Sequence, residues 1–440
     1  MNLTVEELVK ATNAELVKST DTLETFSIST DSRSVKKGQI YLPLKGEKFD
    51  GAEYIDSALK NGASGYFVSE PSLAHKDADF IFLVEDTKIA YLQIARYYKR
   101  KIAPITIAIT GSSGKTTTKE MMYSVAIEAF KTHKSLLNHN NEIGLCQTLL
   151  SMPKDTQVLI VEMGMRGLGE IELLSKYSEP DIAIIANAGT AHLGRLGSIK
   201  NIALAKLEIA SHLHEEGVLF AHSNPIIEKN CSYKGRVEYF SLTDKKLKIL
   251  ELNPNNSVFE YKGHEYKINL EGEHNIQNAL PVIDAALHLG MNPALIAQGL
   301  ANFKPIEKRW EVEEAAGYNI INDSYNANPD SMNAAIKTFL TSVAGVKVLV
   351  LGDMGELGKD EKKYHSKLGE FLSGQKYDYL LTEGILAKSI KPKNEAEKKH
   401  FSNKVDLVKY IKKEIPKGAS ILLKASRSMK FEEIIEELKK

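Results

Sequence analysis

Gly111-Ser112-Ser113-Gly114-Lys115-Thr116-Thr117-Thr118 follows an apolar, β-branched run, Ile105–Thr110, and leads into a helical pattern through Met121, Met122, Val125 and Ile127. Strand, glycine-bearing turn and helix in that order are the setting of a phosphate-cradling loop. Glycines free the backbone to turn its N–H groups toward phosphate oxygens, and the helix N-terminus adds its positive end. In such a loop Lys115 reaches the β and γ phosphates and the Thr116 hydroxyl binds Mg²⁺. The spacing is shorter than G-x-x-x-x-G-K-[ST], because Ile109 stands where the first glycine of that form falls. Gly111, Ser112, Ser113, Gly114, Lys115, Thr116 and Thr117 are therefore the expected ATP-phosphate residues.

The chain around this loop has 440 residues, enough for two to four domains. Its 57 basic residues balance its 57 acidic ones, so no global field directs it to nucleic acid or to anionic membranes. The first residues are acidic and lack an apolar core, so no signal peptide is expected, and no apolar run reaches membrane-helix length. Two cysteines, Cys146 and Cys231, fit a reducing cytoplasm better than a disulfide framework.

Upstream of the loop, Thr4 and Glu7 form a capping box at the start of a short helix. Asp31-Ser32-Arg33 reads as a turn with a surface ion pair, and Lys45-Gly46 opens a charged loop between a strand at 39–44 and a helix at 52–61. An amphipathic helix then runs into Lys99-Arg100-Lys101, and Pro104 marks the boundary chosen between a first domain, 1–103, and a second, 104–304.

In the second domain the amide-rich Asn138-His139-Asn140-Asn141 follows the phosphate loop by one helix. The buried strand at 158–161 ends in Glu162, placed as a Mg²⁺ ligand or as a salt-bridged strand-end carboxylate. The strand at 182–186 ends in Asn187-Ala188-Gly189-Thr190-Ala191-His192, where open α/β sheets bind ligands; His192 is either a metal ligand there or a surface histidine. A helix over 199–213 carries an apolar stripe of Ile199, Ile202, Ile209 and Leu213, interrupted by Lys206. That lysine either snorkels or, desolvated, offers a neutral amine that CO₂ can convert to a carbamate. Residues 244–271 read as a small β insert. After it, Asn275 and Asn278 share one helix face, able to meet a purine edge or to cap the helix. Pro281 predicts a kink or a later helix start.

From 305 to 440 the pattern is again β-α-β-α: strands at 318–322, 346–351, 378–382 and 419–424, helices at 330–343, 361–373, 404–414 and 430–438. This predicts a parallel, Rossmann-like third domain without a dinucleotide loop. Polar clusters 323–330, 352–358 and 424–427 fall at strand ends on one sheet edge.

With Asp31-Ser32-Arg33, the GSSGKTTT loop, Asn140-Asn141-Glu142-Ile143-Gly144, Glu162-Met163-Gly164, Ala205-Lys206-Leu207-Glu208, Gly352-Asp353-Met354 and Ser426-Arg427 assembled, the chain resembles the Mur ligases of peptidoglycan synthesis over nearly its whole length. Ala327-Asn328-Pro329-Asp330, in place of the Asp-Asn-Pro-Arg of diamino-acid-adding relatives, resembles the dipeptide-adding branch. The resemblance implies an α/β chain of three domains: one for a UDP-sugar substrate, one for ATP, one for the incoming dipeptide. It implies an ATP- and Mg²⁺-dependent ligase joining D-Ala-D-Ala to UDP-N-acetylmuramoyl-tripeptide, cytoplasmic and monomeric, with no nucleic-acid or membrane partner. It places Ser32, Arg33, Lys45 and Gly46 on the UDP-sugar substrate and Asn326, Asn328, Ser426 and Arg427 near the dipeptide, with Asn140 also substrate-binding. Asn275, Asn278, Arg309 and Asp323 go to ATP. Lys115, Glu162, His192 and Lys206 are implied to be catalytic, with Thr116, Glu162, His192 and carbamylated Lys206 around the metal. Ala52, Cys146 and Ala425 depart from the family pattern, where His, Pro and Gly are common. Rival readings are a sister Mur ligase that adds a different amine, an inactive ATP-binding scaffold, and a P-loop kinase.

Overall fold

The strand Ile105–Thr110 lies near the middle of a six-stranded sheet whose order is 236–240, 218–222, 182–185, 105–110, 158–162, 132–134. Every neighbouring pair in it is parallel. Parallel sheets are covered on both faces, which is why these strands read as continuous apolar runs. Helices Lys115–Ala126, Glu273–His288 and Pro293–Asn302 cover one face, and Glu142–Ser151, Glu170–Ser178 and Ile199–Leu207 the other. The chain leaves 105–110 toward 132–134 and 158–162 on one side, and toward 182–185 on the other. The ends of 105–110, 158–162 and 182–185 therefore meet at a topological switch point, where open sheets of this kind hold ligands.

This computed structural model describes residues 1–20, 24–46, 49–136, 139–253, 256–304 and 310–440. Before the central sheet, a five-stranded sheet is formed by 15–18, 80–83, 65–68, 39–41 and 27–29, with only the 15–18 edge antiparallel. Helix Val5–Thr12 opens with the Thr4–Glu7 capping box the sequence predicts. Helix Thr87–Ile102 belongs to the apolar core shared by this sheet and the central one. Its end is tied to the central domain: Tyr98 donates to Met152 O at 3.0 Å and Lys99 to Glu179 O at 3.0 Å. The small insert is an antiparallel sheet of Leu247–Asn253, Asn256–Tyr261 and His264–Ile268.

The third sheet runs 311–315, 318–322, 420–424, 347–351, 379–383, 397–401, parallel except at its first strand. The chain is thus α/β with three domains. Among the described residues no helix is long and apolar enough to cross a membrane.

Four expectations need correction. Glu311–Ala315 and Glu397–Phe401 are strands that the alternation of apolar runs does not mark. They are charged edge strands, whose exposed composition blocks further pairing instead of burying a face. The helix expected over 199–213 ends at Leu207 and tightens to a 3₁₀ turn at Glu208–Ala210. There Glu208 accepts from Gly169 N, and Ser175 donates to Ile209 O, so tertiary partners take groups a longer helix would use. The expected helix over 52–61 begins as a 3₁₀ turn, Gly51–Tyr54, and becomes α-helical only at Ile55–Lys60. Of the kink or later start expected at Pro281, the later start is not found, since helix Glu273–His288 runs through it. Residues 278–286 are all buried, and packing on that scale outweighs one lost backbone hydrogen bond.

Candidate active site

Gly114 is the N-cap of helix Lys115–Ala126, with φ +75°. A Cβ there would lie 2.3 Å from Asn278 Oδ1, so both the left-handed turn and the approach of helix Glu273–His288 require glycine. Lys115 Nζ donates to Gly111 O at 2.8 Å, folding the side chain over the loop. The loop is braced by Asn187, whose Oδ1 accepts from Ser112 N and Ser113 N, both at 3.0 Å. Asn187 Nδ2 returns a bond to Ser113 O, and Gly189 N donates to Ser112 Oγ at 2.9 Å. The polar run 187–192 is named in the sequence, but its role as the loop's brace is not read there.

Glu162 ends its strand almost fully buried. Its Oε1 accepts from Asn140 Nδ2 at 3.1 Å, while Oε2 has no hydrogen-bond partner and sits 3.6 Å from Lys119 Nζ. Lys119 follows Lys115 by one helical turn, is wholly buried, and donates to Ser135 O at 2.9 Å. The same helix thus carries the phosphate lysine and the cation that faces Glu162, a second residue sequence reading passes over. Thr116, Glu162 and His192 all line one cavity of about 1070 Å³. Among the described residues no three His, Cys, Asp or Glu side chains gather closely enough to hold a metal by themselves. An orphaned buried carboxylate oxygen beside a phosphate loop and a threonine hydroxyl does fit Mg²⁺, which takes few protein ligands and shares its shell with phosphate and water.

His192 Nδ1 lies 2.5 Å from Glu356 Oε2 of the third domain. Both residues have left-handed backbones, φ +64° and +61°, conformations that persist where surrounding contacts impose them. The His192 ring holds the Glu356 carboxyl below its usual range. Lys206 does not snorkel: it is 1% exposed. Burial, and after it the nearby Lys115 cation, push its ammonium well below the ordinary lysine value. It is not among the cavity-lining side chains.

On helix Glu273–His288, Asn275 and Asn278 are buried and line the cavity, Asn275 also donating to Glu271 O at 2.7 Å. Burial holds the neighbouring His274 imidazole down to about 4. Asp323 meets the buried Lys424 Nζ at 2.5 Å, and Lys424 also donates to Asn326 O at 3.2 Å, fixing the loop after the strand Tyr318–Asn322. Asn326, Asn328 and Arg427 line the cavity; Ser426 lies behind it, its Oγ accepting from Gly355 N at 2.6 Å. Asn328 caps helix Pro329–Ser342 through a capping box with Ser331, and Arg427 pairs with Glu432 at 2.7 Å. Asn140 lines the cavity too, whereas Ser32, Arg33, Lys45 and Gly46 do not. Arg33 pairs with Asp31 at 2.8 Å and Lys45 with Asp50 at 3.2 Å, both near the surface. Arg309 lies outside the described residues.

Glu271, just before helix Glu273–His288, gives a stability test. Burial pushes its carboxyl up to about 7 from an ordinary 4.5, against the Ser342 hydroxyl, which lowers it. A raised carboxyl contributes stability that is whole below the unfolded value and is lost as pH climbs through the folded one. Wild type is therefore expected to lose about 2 kcal/mol between pH 4.5 and 7 relative to Glu271→Gln, measured by urea unfolding. Parallel pH profiles would refute this.

Comparison with known proteins adds three family matches: Mur ligase family, catalytic domain, at residues 26–99; Mur ligase middle domain at 109–286; and Mur ligase, glutamate ligase domain, at 308–427. The UDP-N-acetylmuramoyl-tripeptide–D-alanyl-D-alanine ligase of Bacillus subtilis is 37% identical, over 97% of both chains. A MurF crystal structure from Acinetobacter baumannii superposes with a TM-score of 0.92 at 32% identity, covering 100% of this chain and 99% of that one. MurF from Thermotoga maritima, solved in complex with ADP, gives 0.85 at 28% identity over 94% and 97%.

Proposed function

The chain belongs to the Mur ligase family, and from that membership we propose that it is a MurF-type ligase, joining D-Ala-D-Ala to UDP-N-acetylmuramoyl-tripeptide at the expense of ATP. The observation that carries the reading is the single cavity in which the phosphate loop, Glu162 and the polar loops of the third domain face one another. Such a cavity brings a nucleotide, an acid and an amine together and keeps water from a reactive intermediate.

The free carboxylate of the tripeptide attacks the γ-phosphorus of ATP. The bond from that phosphorus to the β-bridging oxygen breaks, leaving ADP and an acyl phosphate. The dipeptide amine then attacks the acyl carbon and forms the C–N bond, the acyl C–O bond breaks with its oxygen and electron pair leaving on phosphate, and the amine's proton is lost to solvent or phosphate. Lys115 and the loop amides of 111–117 hold the migrating charge, and Asn275, Asn278, Asp323 and Arg309 hold the nucleoside end. Thr116, Glu162 and His192 would hold Mg²⁺, which would neutralise phosphate charge there. Lys206, whose burial favours the neutral amine, would take up CO₂: the nitrogen lone pair bonds to carbon, the nitrogen loses a proton to solvent, and a carbamate replaces the cation.

Residues 1–103 bind the UDP-sugar through Ser32, Arg33, Lys45 and Gly46; 104–304 bind ATP; 305–440 bring the dipeptide past Asn326, Asn328, Ser426 and Arg427. Asn140, which donates to Glu162, takes part in substrate binding. The protein works in the cytoplasm as a monomer on small molecules, without nucleic-acid or membrane partners.

ADP release measured with UDP-N-acetylmuramoyl-tripeptide, with and without D-Ala-D-Ala, tests the reading. Turnover is expected only with both, with the product heavier than the acceptor by one dipeptide less water. Turnover with a single amino acid instead would move the protein to a sister branch; ADP without any ligated product would end the ligase reading.

A further inference from the structure

We propose that Asp330 is a positioning residue, a clasp that transmits closure of the third domain to the phosphate loop; this deepens the ligase reading and rests on it. Asp330 stands in the first turn of helix Pro329–Ser342, just inside the Asn328 cap. Its Oδ2 accepts two bonds from the central domain, from Thr190 N at 2.6 Å and from Thr190 Oγ1 at 2.8 Å. The approach is close enough that a Cβ on Gly189 would lie 2.2 Å from the same oxygen, so only glycine admits it. The helix N-terminus favours a carboxylate at that position, whether or not Thr190 is there to meet it.

Thr190 belongs to the short segment that braces the phosphate loop. One residue back, Gly189 N donates to Ser112 Oγ, and two further back Asn187 Oδ1 accepts from the Ser112 and Ser113 amides. A few residues on, Gly194 N donates to Glu356 O at 3.0 Å, and His192 faces Glu356. Segment 187–194 is therefore gripped by the phosphate loop on one side and by two loops of the third domain on the other. Asp330 itself is exposed at the cavity rim, so its bonds can give way to water without leaving a buried charge. That suits a contact made and broken in each cycle better than a fixed strut. Because coupling between two binding events is reciprocal, loosening the clasp must weaken the nucleotide as well as the dipeptide.

The test compares wild type with Asp330→Ala, Asp330→Asn and Thr190→Val, using calorimetry of ADP binding, small-angle scattering with and without ADP, and thermal unfolding. Asp330→Ala is expected to weaken ADP about tenfold, as two charge-assisted bonds allow. It should also expand the scattering profile and raise KM for D-Ala-D-Ala more than it lowers kcat. Asp330→Asn, which keeps an acceptor oxygen, should recover part of the affinity, and Thr190→Val, which keeps the N–H, should fall between. ADP affinity within twofold of wild type, with an unchanged profile, would overturn the clasp. So would a lowered melting temperature with ADP affinity intact, which would make Asp330 a helix-end stabiliser only. Neither binding nor scattering needs the tripeptide or the dipeptide, so a wild-type protein that forms ADP without any ligated product would end the ligase reading while the clasp stood.

Discussion

Lys115→Met is expected to slow ADP formation about a thousandfold, equivalent to about 4 kcal/mol of barrier, with ADP still bound. The reasoning starts from geometry. Nζ donates to Gly111 O, 2.8 Å away, so the ammonium is held against the loop proposed to take the phosphates. Phosphoryl transfer asks little covalent chemistry of the protein and a great deal of charge stabilisation, most of it on the oxygens that the lysine faces. Methionine keeps the length and apolar stem, so the loop braced by Asn187 should hold its shape. ADP affinity is then expected to fall far less than turnover, the mark of an interaction stronger in the transition state than in the ground state. Turnover at saturating substrate and calorimetry of ADP binding separate the two. A loss below tenfold in turnover would mean that another group neutralises the γ-phosphate.

Much of this site could be read before any coordinates. A β-branched run, a glycine turn and a helix force the phosphate loop to the carboxyl edge of a parallel sheet. The strand ending in Glu162 can only return to the same edge. Lys206 stood out because it interrupts an apolar stripe at helical spacing, and the structure places it where the stripe requires, inside. What stayed hidden depends on pairing across long separations. Nothing local in Asp330 announces that its carboxylate meets Thr190, 140 residues away. Lys119 reads as one more helical lysine until Glu162 is set 3.6 Å from it. Edge strands such as Glu397–Phe401 are charged to resist pairing, which removes the apolar alternation that would reveal them. The helix end at Leu207 is decided by Ser175 and Gly169 from a different helix and its cap, so no cap signal marks it. Ser32 and Arg33 show the opposite case: their local reading as a turn with a surface pair matches what the structure holds, and their tie to a substrate rests on family membership alone.

Lys206→Met is expected to abolish ligation, by about a thousandfold or more, while making the protein more stable, and that opposition separates chemistry from packing. The buried ammonium is a liability to the fold. Its folded pKa is lowered by burial and then by Lys115, so between the folded value and the ordinary lysine value of about 10.4 the unfolded chain binds one more proton. Stability therefore rises with pH across that window, and below it the full penalty applies. Methionine fills similar volume without charge, and replacing a buried charge by an apolar side chain is commonly neutral or stabilising. If Lys206 served only as filling, activity would survive the change. If it is a carbamate, wild type has a second route to stability, because CO₂ binds the folded amine and not the unfolded ammonium to the same extent. Added bicarbonate should then raise the unfolding midpoint of wild type and leave that of Lys206→Met where it was. Enzyme stripped of CO₂ should lose activity and regain it with bicarbonate. A methionine variant that ligates normally, or a wild-type midpoint indifferent to bicarbonate, would return Lys206 to the role of a buried cation tolerated for some other reason.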